Sequence, residues 1–187
     1  MSGGGMSGGG MSGGLPEAIV HLRRSAGIIA RLAEEPPVDP TWRPDPARWS
    51  FIEVIGHLLC EEREDFRPRL DLLLHEPETP WAPIDPEGRV EELDFRARTL
   101  DAVVAEFAQE RERSLQWLAS LDVAPLERER THPRGFVLRG GDLLASWVAH
   151  DLLHIRQLIG LEFAGVEAEW AEFSTLYAGE WSPAEGE

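Results

Sequence analysis

The sequence predicts an all-α protein: a four-helix bundle with an extra short C-terminal helix and a disordered, Gly-rich N-terminal tail. Three observations carry this expectation. Four long segments repeat apolar residues at steps of three and four. The prolines gather between those segments, five within residues 35–48 and four within residues 76–88. Strand patterning is absent, apart from a brief extended piece expected around Phe136–Leu138.

Residues 1–14 read MSGGGMSGGGMSGG and hold 8 of the 18 Gly and all three Met. Such a repeat has no apolar side-chain surface worth ordering and a high ordering entropy. A flexible tail is expected there, followed by one folded domain over residues 15–180. The first helix is expected over 16–34, with Ile19, Leu22, Ala26, Ile29 and Ala33 on one face. Pro16 suits its first turn, and Pro36 and Pro37 stop it. The second is expected over 50–75. Ser50 and Glu53 form an S-x-x-E capping box, with Trp49 and Val54 as the staple across it. Ile55, Leu58, Leu59, Phe66, Leu70 and Leu73 continue inward, and Pro68 is expected to kink the helix. The third spans 89–121 through Leu93, Ala97, Leu100, Val104, Phe107, Leu115, Leu118 and Leu121. The fourth spans 141–162, with Asp142 as cap and Leu143, Trp147, Ile155, Leu158 and Leu161 inside. A fifth piece over 166–178, carrying Trp170, Phe173 and Leu176, is expected to pack across the bundle.

Composition excludes several functions. The chain has 34 acidic against 18 basic residues, a net charge of -16, and every basic residue is Arg. Without Lys there is no Schiff base and no P-loop lysine. The acidic field argues against nucleic acid and against an anionic membrane surface. One cysteine, Cys60, allows neither an internal disulfide nor a Cys-rich metal site, and suits a reducing, cytoplasmic setting. No apolar run reaches the roughly 20 residues that span a bilayer, and no signal peptide is recognisable.

The histidines carry the functional signal. His150 and His154 are four apart on the fourth helix, on a stripe shared with Leu143, Trp147 and Leu158. That spacing places two imidazoles one turn apart on an inward face. Imidazoles on a core stripe need partners, which a metal supplies. The plainer alternative is coincidence, since an isolated H-x-x-x-H on a helix carries little specificity by itself. His57 holds a matching place on the second helix beside Ile55, Leu58 and Leu59. Three neutral imidazoles would make a facial site with open positions, and ligand type alone does not choose among Zn, Ni, Fe and Cu.

Two runs add a resemblance. W-S-F-I-E-V-I-G-H-L, Trp49 to Leu58, resembles the second-helix signature of the DinB-like (YfiT-like) metal-binding four-helix bundles. G-D-L-L-A-S-W-V-A-H-D-L-L-H-I-R-Q-L, Gly141 to Leu158, resembles their last-helix signature, with its H-D-x-x-H-x-x-Q core. Their order and separation fit over residues 15–178. The resemblance implies that His57, His150 and His154 bind one divalent metal. Where such proteins often read H-P-x-F-G, this chain has His132-Pro133-Arg134-Gly135-Phe136, with Gly and Phe exchanged, so no site role is carried over to His132.

Around the triad, Glu61 and Asp151 are candidates to hold a ligand ring, Glu61 also to handle a proton, and Gln157 to hydrogen-bond bound water. Cys60 reads as a small buried hydrophobe rather than a nucleophile, and His21 and His75 as ordinary. Trp42 and Trp81, in Pro-rich loops, are placed near a pocket mouth. By resemblance, the expected function is a metal-dependent enzyme acting on a small molecule, in its leading form an S-transferase using a low-molecular-weight thiol such as bacillithiol or mycothiol, in detoxification or stress response. The alternatives are a metal-dependent hydrolase with Glu61 as proton acceptor, and a non-enzymatic bundle stapled by metal for partner binding. Dimerisation is common among similar proteins, and a homodimer is expected on that ground alone.

Overall fold

The computed structural model describes residues 13–36, 39–121, 126–132, 134–179 and 181. The expected tail lies outside them except for Gly13 and Gly14. So does the proposed stop at Pro37. Four long helical rods form the bundle: α1 (Leu15–Glu34), the continuous rod α2 (Phe51–Cys60) to α3 (Arg67–His75), α5 (Leu100–Ser120) and α6 (Gly140–Glu169). α1 packs on α5 and α6, and α2 on α5 and α6. The short α4 (Pro86–Glu92) lies against α2. A hairpin of β1 (Glu129–Thr131) and β2 (Val137–Arg139) leads straight into α6, pairing Arg130 with Leu138.

The α2–α3 rod differs from expectation at Pro68. Ahead of the proline, residues Glu61–Phe66 wind as a π-helix. Proline cannot donate to the carbonyl four residues back and its ring crowds that group, and wider turns relieve the crowding. The widening also admits two consecutive carboxylates, Glu61 and Glu62, to the interior.

The expected third helix is broken. α4 ends at Glu92, Asp94 turns left-handed at φ 42°, a 3-10 turn covers Phe95–Ala97, and Thr99 caps α5 in extended conformation. Aspartate tolerates this backbone better than most residues. The break exposes Leu93 and Ala97 and buries Phe95 in their place. At the other end, the expected fifth piece divides. Residues 166–169 extend α6, a 3-10 turn covers Leu176–Ala178, and Trp170, Phe173 and Leu176 are exposed rather than packed across the bundle.

The apolar interior falls into two clusters. One joins Ile29, Ile55, Leu58, Phe107 and Leu158, and the other joins Leu22, Leu70, Leu115, Leu118 and Trp147. Between them, at mid-height, lie buried polar residues from every rod: Ser25, Glu61 and Glu62, Glu110 and Arg111, and Asp151.

Phe95 seats on α2 because residue 56 is Gly: a Cβ there would lie 2.3 Å from the Phe95 ring. Gly56→Ala therefore overpacks the site. The expected loss is about 1–3 kcal/mol, read as a lower urea midpoint with an unchanged slope.

Candidate metal centre

α2 is buried along its entire length, Glu53 and His57 included. The capping box fixes its start: the Ser50 amide and hydroxyl both donate to Glu53 Oε2, at 2.8 and 2.6 Å. Arg43 grips the same carboxylate, with Nε 2.9 Å from Oε2. Burial works against ionisation, but hydrogen bonds from Arg43 and Ser50 hold the Glu53 carboxyl below its ordinary range. Together these contacts pin the loop that carries Trp49, whose ring lies 4.8 Å from that of His57.

Across from His57, α6 presents His150 and His154 one turn apart. His150 Nε2 lies 3.3 Å from His57 Nε2 and 3.1 Å from His154 Nε2. One ring nitrogen from each residue can be chosen so that all three lie within 4.8 Å of one another. Phe66 closes another side, 5.1 Å from the His150 ring. Burial first, then the neighbouring imidazoles, pushes the pKa of His57 down to about 2. Burial, His154 and Arg111 push His150 down to about 3. Both rings are therefore neutral at physiological pH, which is the ligating form.

The residues present fit a divalent ion. His154 Nδ1 lies 2.7 Å from Gln157 Oε1. An amide oxygen only accepts, so Nδ1 carries the proton and Nε2 offers a lone pair. One ring proton can bridge only one of the two Nε2–Nε2 contacts, whereas a cation satisfies all three nitrogens. Metal–nitrogen bonds of about 2.0–2.1 Å place neighbouring ligand atoms roughly 2.9–3.4 Å apart, which is the spacing of the two contacts found. His57 Nδ1 is buried without a hydrogen bond, and the nearest carboxylate oxygen is Glu61 Oε1 at 3.9 Å.

The remaining expected residues divide. Glu61 stands on the outer side of His57. Burial, with Asp65 beside it, pushes its carboxyl up to about 8. Gln157 meets His154 directly. Asp151 turns away from the rings and pairs with Arg111, Nη1 lying 2.6 Å from Oδ2. Cys60 is buried, and burial drives its thiol up to about 11, as suits a small core residue. His75 pairs with Asp71 on the surface. His132 accepts from the Arg134 amide and stacks on Phe136, outside the triad.

A cleft of about 760 Å³ opens on His154 and Gln157, walled by Arg43, Arg48, Trp49 and Glu91 among others. Trp49, not Trp42 or Trp81, is the tryptophan of that cleft. Trp42 lines a neighbouring hollow with Arg96, and Trp81 packs under Arg69 and Arg130. Glu61 faces a separate depression of about 330 Å³ with Cys60, Glu64 and Asp65.

Fold and site together define a helical bundle whose three facing histidines can hold a metal. The chain belongs to the DinB superfamily, which its sequence matches over residues 22–158. Its structure is similar to that of YfiT from Bacillus subtilis, described as a probable metal-dependent hydrolase with an unusual four-helix bundle topology. The TM-score is 0.70 at 18 % identity, covering 91 % of this chain and 96 % of that one. It is also similar to a mutant of the mycothiol-dependent maleylpyruvate isomerase, with a TM-score of 0.59 at 16 % identity, covering 78 % of this chain and 60 % of that one. At these identities the likeness is one of fold. No curated protein matches the sequence. No helix among the described residues is long and apolar enough to cross a membrane.

Metal-free stability should fall on both sides of neutrality. The depressed histidines contribute stability that is complete above their unfolded value of 6.5 and is lost as pH falls toward 3 and 2. The raised Glu61 acts oppositely: its contribution is complete below 4.5 and is lost as pH rises through about 8. Melting curves of chelator-treated protein across pH should show both arms, and Glu61→Gln should flatten the alkaline one while sparing the acid one.

Proposed function

We propose that the protein is a divalent-metal-dependent enzyme acting on a small molecule, with His57, His150 and His154 as ligands, and that its reaction is transfer of a low-molecular-weight thiol to an electrophile, a detoxifying chemistry. The observation that carries this reading is the convergence of three imidazoles, one of which, His154, lines an open cleft. A divalent cation held there lowers the pKa of a thiol brought to it, without a separate base.

The cleft favours this form over hydrolysis. Its volume suits a thiol cofactor and a second small molecule together. Trp49 offers an apolar wall, and Arg48, which has no carboxylate partner among the described residues, offers a cation for an acidic group on either reactant. Gln157 holds His154 in the tautomer that leaves Nε2 unprotonated. Glu61, the proton acceptor that a hydrolase reading needs, lines the other depression and lies against His57 Nδ1. In the transferase reading it is a neighbour of the His57 ring, 3.9 Å from Nδ1, and takes no part in the transfer.

Purified wild-type protein should carry one divalent metal per chain, and His57→Ala and His154→Ala should each lose it. Full metal retention by both variants would remove the assignment. With a panel of small thiols and an activated aryl halide, the wild type should turn over and His154→Ala should not. Glu61→Gln should keep the metal and a transferase rate within tenfold of the wild type. Cleavage of an amide or ester by the wild type, abolished in Glu61→Gln with metal retained, would instead point to a hydrolase with Glu61 as its base.

A further inference from the structure

We propose that Arg111 is the positioning residue of the histidine centre, fixing the spacing between the two helices that carry the ligands. The inference rests on the metal-site reading above. Arg111 lies on α5, which supplies no ligand, and is 1 % exposed. Its Nε and Nη2 donate to Glu62 Oε1 and Oε2 at 2.8 and 3.0 Å. Its Nη1 and Nη2 donate to Asp151 Oδ2 and Oδ1 at 2.6 and 2.9 Å. The remaining Nη1 proton goes to the Leu22 carbonyl of α1 at 2.9 Å. All five guanidinium protons are thereby used.

The two carboxylates are placed where they control the ligands. Glu62 follows Glu61 in the π-helical segment, little more than a turn beyond His57. Asp151 directly follows His150 and precedes His154 by three residues. Trp147 of α6 adds a further strut, its Nε1 donating to Glu62 Oε2 at 3.0 Å. The guanidinium thus spans the ligand-bearing helices and holds both of them bidentately. Apolar packing tolerates small slides between helices, whereas a doubly bidentate fork fixes separation and axial register together. The distance it governs is the gap between His57 on one helix and His150 on the other. Stability alone is a weak reason for such a knot, because well-packed hydrophobic replacements of buried ionic triads often fold as stably.

The test compares the wild type with Arg111→Met, Glu62→Leu and Asp151→Leu made together, and with the nearly isosteric Glu62→Gln. Zinc affinity is read by chelator competition, cobalt geometry from the visible spectrum of Co(II)-loaded protein, and metal-free stability from urea unfolding. The expected result is a triple variant whose metal-free midpoint equals or exceeds that of the wild type, but whose zinc affinity falls ten- to a hundredfold with altered cobalt bands. Glu62→Gln disrupts one arm of the fork and should lose affinity in the same direction. It decides the matter if the triple variant does not fold. Wild-type affinity and spectrum in the folded variants overturn the role of Arg111 and leave the metal site standing. A wild type that takes up neither zinc nor cobalt overturns the metal reading and this inference together.

Discussion

Everything in this bundle is organised around one guanidinium buried between two apolar clusters. Removing a charge from water costs several kcal/mol even after relaxation. Here the cost is offset by two carboxylates and a backbone carbonyl drawn from neighbouring rods, and the Trp147 indole donates in turn to one of those carboxylates, Glu62. The consequence is a polar stratum that cuts the hydrophobic interior in two. Leu22, Leu115 and Trp147 pack on one side of it, and Ile29, Phe107 and Leu158 on the other. The histidines sit at the edge of this stratum, where burial keeps His57 and His150 neutral while His154 meets the cleft.

Placement and charge work together there. Burial, then His154 and the Arg111 guanidinium, all disfavour a protonated His150, which leaves that ring in its ligating form. The pattern recurs more loosely toward the surface, around the buried Glu110 and the partly exposed Arg89. Arg63 and Arg67 share Glu110, and Arg89 spans Glu64 and Glu92. An all-Arg chain suits this use, because a planar fork can serve two carboxylates where an ammonium acts as a point charge. Much of the acidic excess seen in the composition is therefore either paired by arginine or solvated on outer helix faces.

Capping signals and most of the helical stripes in the sequence matched the structure, whereas one stripe ran across a break and the long-range pairings were not visible. The capping box at Ser50 and Glu53 needs only three residues, and the inward stripes of α1, α2 and α6 need only periodicity. His150 and His154 were legible for the same reason. The break at Asp94 was hidden because Leu93, Ala97 and Leu100 keep helical spacing across it, so the pattern alone continues a helix that the backbone ends. Arg111 was hidden by its neighbourhood, since the run Glu110-Arg111-Glu112-Arg113 resembles a solvated face. Its partner Glu62 is 49 residues away. A usable trace existed all the same. Arg111 lies in the apolar stripe Phe107, Leu115, Leu118, Asp151 in the stripe Trp147, Ile155, Leu158, and Glu62 beside Leu58 and Phe66. One cation and two anions interrupting three hydrophobic stripes form a complementary set that periodicity alone passes over.

The π-helical stretch between Cys60 and Phe66 acts as a phase shifter within a single rod. In an unbroken α-helix, adjacent side chains diverge by about 100°, so one of the two neighbouring glutamates would be carried toward solvent. The extra residue absorbed by the wider turns resets the angular count. His57 upstream and Leu70 downstream can each aim at their own layer while both acids enter between them. A one-residue deletion in this stretch would let the rod revert to a plain α-helix with its two halves still in step, but only one of the two acids would then face inward. The alignment of ligand, acid and core on this helix is thus encoded by a change of pitch as much as by the choice of side chains.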